Sequence, residues 1–411
     1  MEEFIRREKE GEILRWLDEK EIIAIRGPRQ SGKTTLLFRL MKILEKKRIN
    51  KKRIHFITLE DDFEKDKFEK DPNAYIKYYV ADDKERHFFL IDEVQYVKKA
   101  GKILKLVYDS FHNIKIIITG SSTLDINEIG SYLVGRVILF ELYPFSFEEF
   151  LSAKDVKANE YYKKNKFSIE LNDTPKTLFI DTLNNYLKEY LTYGGYPRVV
   201  LETDKEKKKT LLKNIFLTYI EKDIAKIYGT KYNQKIGDLV KYLAATNGSI
   251  INYNDICNTT GLYYTELKEI LTILENTYVI KRILPFHKNL ITEIKKNPKI
   301  YFVDLGLRNF IYGRFDHSDD ELGKLLENFV MNNFMEKSLN YWRTTAKAEV
   351  DFILEKEIPI EVKIKPKITR SLRSFINEYK PKKAILVNMN ITNKVTIEKT
   401  KIFMIPAAFL S

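Results

Sequence analysis

Gly27-Pro28-Arg29-Gln30-Ser31-Gly32-Lys33-Thr34 fills every fixed position of the pattern G-x-x-x-x-G-K-[ST]. An apolar run, Ile22 to Ile25, leads into it, and Lys33 to Glu45 leaves it with the spacing of an amphipathic helix. A strand running into a glycine-rich turn and out into a helix is a phosphate-binding loop. The glycines let backbone N–H groups turn inward around phosphate oxygens, and the helix N-terminus adds a favourable dipole. Gly27 through Thr34, with Thr35 beyond, form the cradle. Lys33 would neutralise the β- and γ-phosphates of a nucleoside triphosphate, and the Thr34 hydroxyl would ligate Mg²⁺.

Outward from the loop, residues 21–142 alternate apolar runs with helical spacing. The runs are Ile22 to Ile25, Ile54 to Leu59, His87 to Ile91, Ile114 to Thr119 and Val137 to Leu142. Lys99 to Phe111 supplies a further helix. This is the signature of an α/β layer with a parallel sheet covered by helices. The third run ends in Asp92-Glu93. Asp92 would hold the metal through water, and Glu93 would polarise an attacking water, as triphosphate hydrolysis requires. Two acids simply capping a strand are the plainer alternative. The fourth run ends in Thr119-Gly120-Ser121-Ser122, where a small hydroxyl such as that of Ser121 could sense the γ-phosphate. Arg136, before the fifth run, would be an arginine finger reaching a neighbouring subunit, which needs at least a homodimer, or else the partner of a structural salt bridge.

Beyond the fifth run, Tyr143-Pro144-Phe145-Ser146-Phe147-Glu148-Glu149-Phe150 closes the first part. Residues 151–175 are polar and Lys/Asn-rich and read as a loop or insertion. Leu178 to Ala245 is helical, broken at Gly194-Gly195-Tyr196-Pro197. Three helical stretches (around Ile236 to Thr246, Tyr253 to Asn258 and Thr265 to Asn276) then precede two strand-like runs, Val279 to Leu284 and Lys299 to Val303. That order matches a winged helix-turn-helix. The helix that would read DNA, Tyr263 to Asn276, carries Glu266, Glu269 and Glu275 against Lys268 alone, which suits a phosphate-lined groove poorly; Lys281-Arg282 would be a basic wing.

Gly27 to Thr35, Ile91-Asp92-Glu93-Val94-Gln95, Thr119 to Ser122, Gly135-Arg136 and Tyr143 to Phe150 together resemble a prokaryotic, largely archaeal family of AAA+ ATPases. Gly194 to Pro197 and Phe302-Val303-Asp304-Leu305-Gly306-Leu307 resemble it too, so the likeness spans nearly the whole chain. It implies an AAA+ domain over residues 1–150, a helical lid over 151–230, a winged helix-turn-helix over 231–310 and an α/β restriction-endonuclease-like domain over 321–411. ATP rather than GTP is implied by the resemblance, because a P-loop discriminates bases poorly.

The tail holds Glu327, then Glu349-Val350-Asp351, then Glu361-Val362-Lys363. An acid on one strand followed by E-x-K on the next is the nuclease-like arrangement. Asp351 and Glu361 would converge on Mg²⁺, with Glu327 as a further ligand or an orienting group. Strand alternation puts Glu361 and Lys363 on one face, where Lys363 would position or deprotonate the nucleophile. E-x-K also arises by chance in a chain so rich in Lys and Glu.

The 411 residues carry 71 Lys and Arg against 58 Asp and Glu, a formal charge of +13. That surplus suits a polyanion such as DNA, although a self-repelling solvated surface would show it too. Hydrophobic residues make up 44%, enough for a sizeable core. Cys257 is the one cysteine, which excludes an internal disulfide and a four-cysteine zinc site. No stretch approaches the roughly 18 apolar residues of a membrane span. A cytoplasmic protein is therefore expected, and the resemblance implies that it needs ATP with Mg²⁺. Three functions remain open: an ATP-regulated DNA-processing enzyme, a non-cleaving ATP switch on DNA, and a remodeller of protein partners.

Overall fold

Alternating side chains explain how one short strand serves two cores. In β1 (Ile22–Arg26), Ile22 and Ala24 are buried on one face and Ile23 and Ile25 on the other. The computed structural model, which describes residues 4–80, 84–121, 129–169, 175–219, 233–287, 296–316 and 318–410, divides into two compact units. One is Met1–Phe145 with Asn276–Tyr278; the other is Ser146–Glu275 with Val279–Ser411.

In the first unit β1 is joined by β2 (Ile54–Thr58), β3 (His87–Asp92), β4 (Ile114–Gly120) and β5 (Val137–Glu141). All pairings are parallel and the order is β2-β3-β4-β1-β5. The central strands β3 and β4 are buried along their whole length, as near-continuous apolar runs require. Helix Lys33–Lys46 covers one face through Leu36, Leu37 and Leu40, while helices Pro72–Val80 and Ala100–Ser110 cover the other. Because β4 lies between β1 and β3, its end sits between the phosphate loop and Asp92. The predicted α/β parallel sheet is present, and its strands match the expected runs.

The second unit corrects one expectation. Residues 151–175 do not begin as a loop: helices Phe147–Lys154 and Val156–Asn165 fill most of the stretch. Ser146 and Glu149 form a capping box at the first, and Asp155 caps the second by accepting from Lys157 and Ala158. The polar composition concealed buried Phe150, Leu151 and Tyr162. Helices Ile180–Tyr193, Pro197–Leu201 and Lys205–Tyr219 follow.

The two glycine-containing motifs noted above meet here. The buried Asp304 carboxylate accepts from Gly195 N at 2.7 Å and Leu307 N at 2.8 Å. Gly306 packs so closely on the Tyr193 backbone that a side chain would collide with it. Helices Asn233–Ala245, Tyr253–Thr260 and Tyr264–Asn276 precede an antiparallel pair, β6 (Ile280–Ile283) and β7 (Lys299–Phe302).

After helix Asp319–Asn333 comes a six-stranded mixed sheet. Its strands are β8 (Leu339–Arg343), β9 (Glu349–Leu354), β10 (Ile358–Val362), β11 (Lys383–Asn388), β12 (Asn393–Ile397) and β13 (Thr400–Pro406), in the order β12-β13-β11-β10-β9-β8. β8, β9 and β10 run antiparallel; β10, β11 and β13 run parallel, and helix Arg370–Tyr379 links β10 to β11.

Candidate nucleotide and metal sites

The phosphate loop leaves the carboxyl end of β1. Gln30 and Gly32 take left-handed conformations, φ 62° and 94°, on either side of Ser31. Gly32 tolerates this without the strain a side chain would bring. Ser31 is fully buried and its hydroxyl oxygen has no hydrogen-bond partner. A buried hydroxyl left in that state is costly, and a phosphate oxygen would relieve it. Lys33 opens the helix and curls back, donating to the carbonyls of Gly27 at 2.9 Å and Pro28 at 3.0 Å. Gly27 and Pro28 are buried, Arg29 is half-buried, and Gln30 and Thr35 are exposed at this end of the sheet.

Asp92 closes the site from β3. One carboxylate oxygen accepts from the Thr34 hydroxyl at 2.7 Å and the other from the Thr119 hydroxyl. A hydroxyl and a carboxylate brought together as hard oxygen donors fit Mg²⁺. When bound, the ion would neutralise phosphate charge; the chain's own part is to hold Thr34 and Asp92 in place for it. Glu93 follows in a left-handed conformation, φ 56°, a strain of order 1–3 kcal/mol of the sort that collects at active sites. Its N–H donates to Thr119 Oγ1 at 3.0 Å and its carboxylate accepts from Gln95. Gln95 also donates to Ser121 Oγ at 3.0 Å. Thus Ser121 reaches Glu93 through Gln95, a residue not anticipated as functional; its place two residues after Glu93 was the available signal. Ser122 lies outside the described residues.

Arg136 is not brought to this site. It precedes β5 at the opposite end of the sheet, where its carbonyl accepts from Ile22 N at 2.8 Å. Its guanidinium donates to Asp109 at 3.2 Å. Within one chain it is the structural salt-bridge residue.

In the tail, Lys363 lies 3.3 Å from Asp351 and 3.5 Å from Glu361, which places all three expected residues together. Asp351 also accepts from Val362 N at 2.7 Å, and Glu361 from the Thr369 hydroxyl at 2.9 Å. Burial raises the Glu361 carboxyl above its ordinary value against the opposing pull of Lys363. Burial works against the Lys363 ammonium, yet Asp351 and Glu361 outweigh it and hold its pKa above the usual lysine value.

Glu327 projects from helix Asp319–Asn333 and is engaged elsewhere. It accepts from Tyr301 and from Lys299 at 3.0 Å. Lys299 is 3% exposed and also reaches Glu349 at 2.7 Å. Burial raises the Glu327 carboxyl, and Asp351 adds to the rise, while Lys299 opposes both. Asp351 and Glu361 offer oxygen donors that fit one divalent cation. Among the described residues, no group of three or more His, Cys, Asp or Glu side chains stands ready for a metal. Lys299, Tyr301 and Thr369 were not anticipated: β7 delivers the first two from outside the tail, and nothing in the local sequence marks them.

The fold and the first site together define a P-loop domain of the ATP-binding AAA type. Residues 19–151 match the family model described as an AAA domain. Residues 184–318 and 322–410 match two models described only as domains of unknown function, DUF8612 and DUF4143. An uncharacterized protein of Haemophilus influenzae is 29% identical over 84% of this chain and 82% of its own length. Another, from Methanocaldococcus jannaschii, is 26% identical over 90% of this chain and 81% of its own. Domain III of the Thermotoga maritima replication initiation protein DnaA overlays 52% of this chain and 94% of its own, with a TM-score of 0.29 and 17% identity. No helix among the described residues is long and apolar enough to cross a membrane.

Proposed function

We propose that the chain hydrolyses ATP at the P-loop and uses that cycle to regulate a metal-dependent nuclease in its tail, with DNA as substrate. Lys33 would bind the phosphates, Glu93 would orient the attacking water, and Gln95 with Ser121 would hold Glu93 until the γ-phosphate arrives. In the tail, Asp351 and Glu361 would carry Mg²⁺, which supplies charge neutralisation at a phosphodiester; Lys363 would hold the nucleophile beside it. The observation that carries this reading is the meeting of Asp351, Glu361 and Lys363 within 3.5 Å of the lysine nitrogen.

The test is cleavage of labelled single-stranded, duplex and branched DNA with Mg²⁺ or Mn²⁺, with and without ATP. Asp351→Ala and Glu361→Ala proteins run alongside. Cleavage lost in both supports the nuclease; no cleavage with either metal, beside measurable ATPase activity, rejects it.

A non-cleaving ATP switch is the second reading, and one observation favours it. Lys363 already pairs with both tail carboxylates, at the place a metal would take. Retained, salt-dependent DNA binding without cleavage would select it, whereas no DNA binding would leave a remodeller of protein partners. The Arg136 finger, if it operates, acts between subunits of a homo-oligomer.

A further inference from the structure

Arg7 stands 24 residues before Ser31, in a stretch with no motif, yet it is 6% exposed and aimed at the phosphate loop. One terminal nitrogen donates to the Ser31 carbonyl at 2.8 Å, and the other to the Tyr143 carbonyl at 2.6 Å. The guanidinium carbon also lies 5.0 Å from the centre of the Phe145 ring. A cation buried to this degree is held by specific partners, and here they are main-chain oxygens that flank the loop.

The consequence follows from the geometry of the peptide bond. In a trans, planar unit the C=O of one residue and the N–H of the next point in opposite directions. The Ser31 carbonyl is drawn toward Arg7, so the Gly32 N–H is turned away from it. Left-handed turns at Gln30 and Gly32 lie close to this peptide, and glycine sets no strong preference of its own, so an anchor on the Ser31 carbonyl helps fix its orientation. Successive backbone N–H groups around such turns form the concavity that receives an anion.

We propose that Arg7 is a positioning residue of the nucleotide site: by holding the Ser31 carbonyl it presents the Gly32 N–H to the phosphates of ATP. The inference rests on the ATP-binding reading above and extends it to a residue outside the motif.

Arg39 provides the control. It holds the same amino-terminal segment through Glu10 and the Phe4 carbonyl, at 3.1 Å each, without touching the loop. ATP dissociation constants measured by calorimetry for wild type, Arg7→Ala, Arg7→Lys, Arg39→Ala and Lys33→Ala separate the possibilities. Loss of charge-assisted donors predicts that Arg7→Ala raises the constant roughly tenfold or more. Arg7→Lys, with one donor direction instead of two, falls between it and wild type. Arg39→Ala stays within about twofold of wild type on the same principle, since no loop contact is lost.

Wild-type affinity in Arg7→Ala overturns the proposal. So does an equal loss in Arg39→Ala, which would trace the effect to the segment as a whole. Should Arg7→Ala fail to fold, Arg7→Lys decides: a raised constant at an unchanged melting temperature supports the role, and an unaltered constant rejects it. If wild type and Lys33→Ala bind ATP equally, the nucleotide reading itself falls, an outcome distinct from the others.

Discussion

The Thr34 hydroxyl donates to the Asp92 carboxylate across 2.7 Å, joining the helix that leaves the phosphate loop to the end of β3. Helix Lys33–Lys46 and β3 also share an apolar core, and the bond gives the buried Asp92 carboxylate one of its partners. Held together in this way, the two groups would offer oxygen donors to one ion with little reorganisation.

Lys33→Ala is expected to abolish ATP turnover, because the ammonium would be lost as a counter-charge to the phosphates. Release of phosphate from ATP is the measurement. Turnover that persists would mean the activity comes from another site or a contaminant.

Arg136→Ala should cost about 0–1 kcal/mol of stability, as for other half-exposed salt bridges. If it also acts between subunits, mixing it with Lys33→Ala protein restores part of the ATPase activity that each lacks. No recovery in a demonstrated mixed oligomer would leave Arg136 with its bond to Asp109 alone.

Lys299→Met should be destabilising, by about 3 kcal/mol, because it removes the buried cation shared by Glu327 and Glu349 and leaves them only Tyr301 and Arg343 as partners. Adding Glu327→Gln should return part of that loss. Urea unfolding of both single variants and the pair gives the coupling energy, and strict additivity would mean that Lys299 and Glu327 do not support each other.

Burial lifts the Asp304 carboxyl to about 6, against the backbone N–H groups that favour its charged form. Its folded value exceeds the unfolded one, so its contribution to stability is full at low pH and is lost as pH rises from about 4 through 6. His55 behaves oppositely. Burial, helped by His87, depresses it to about 4, so its contribution is present above 6.5 and is lost as pH falls toward 4. Urea midpoints of Asp304→Asn and His55→Gln, each compared with wild type between pH 4 and 7, should therefore diverge with opposite slopes. Parallel profiles would refute both assignments.

Local chemistry was legible in the residues alone. The loop from Gly27 to Thr34, the acids at the end of β3 and the paired tail strands all depend on contiguous backbone, whose conformation short-range sterics and alternation dictate. The stretch after residue 150 was misread for a related reason. Its few buried apolar side chains are divided between two short helices among many polar ones, and composition cannot reveal such faces. Only the tertiary structure decided that Arg7 reaches Ser31, that Gln95 links Glu93 to Ser121, that Arg136 turns to Asp109 and that Lys299 enters the tail cluster. Each of these joins depends on which strands lie side by side and which ends they share. That order is set by the packing of the whole sheet, and no window of sequence contains it.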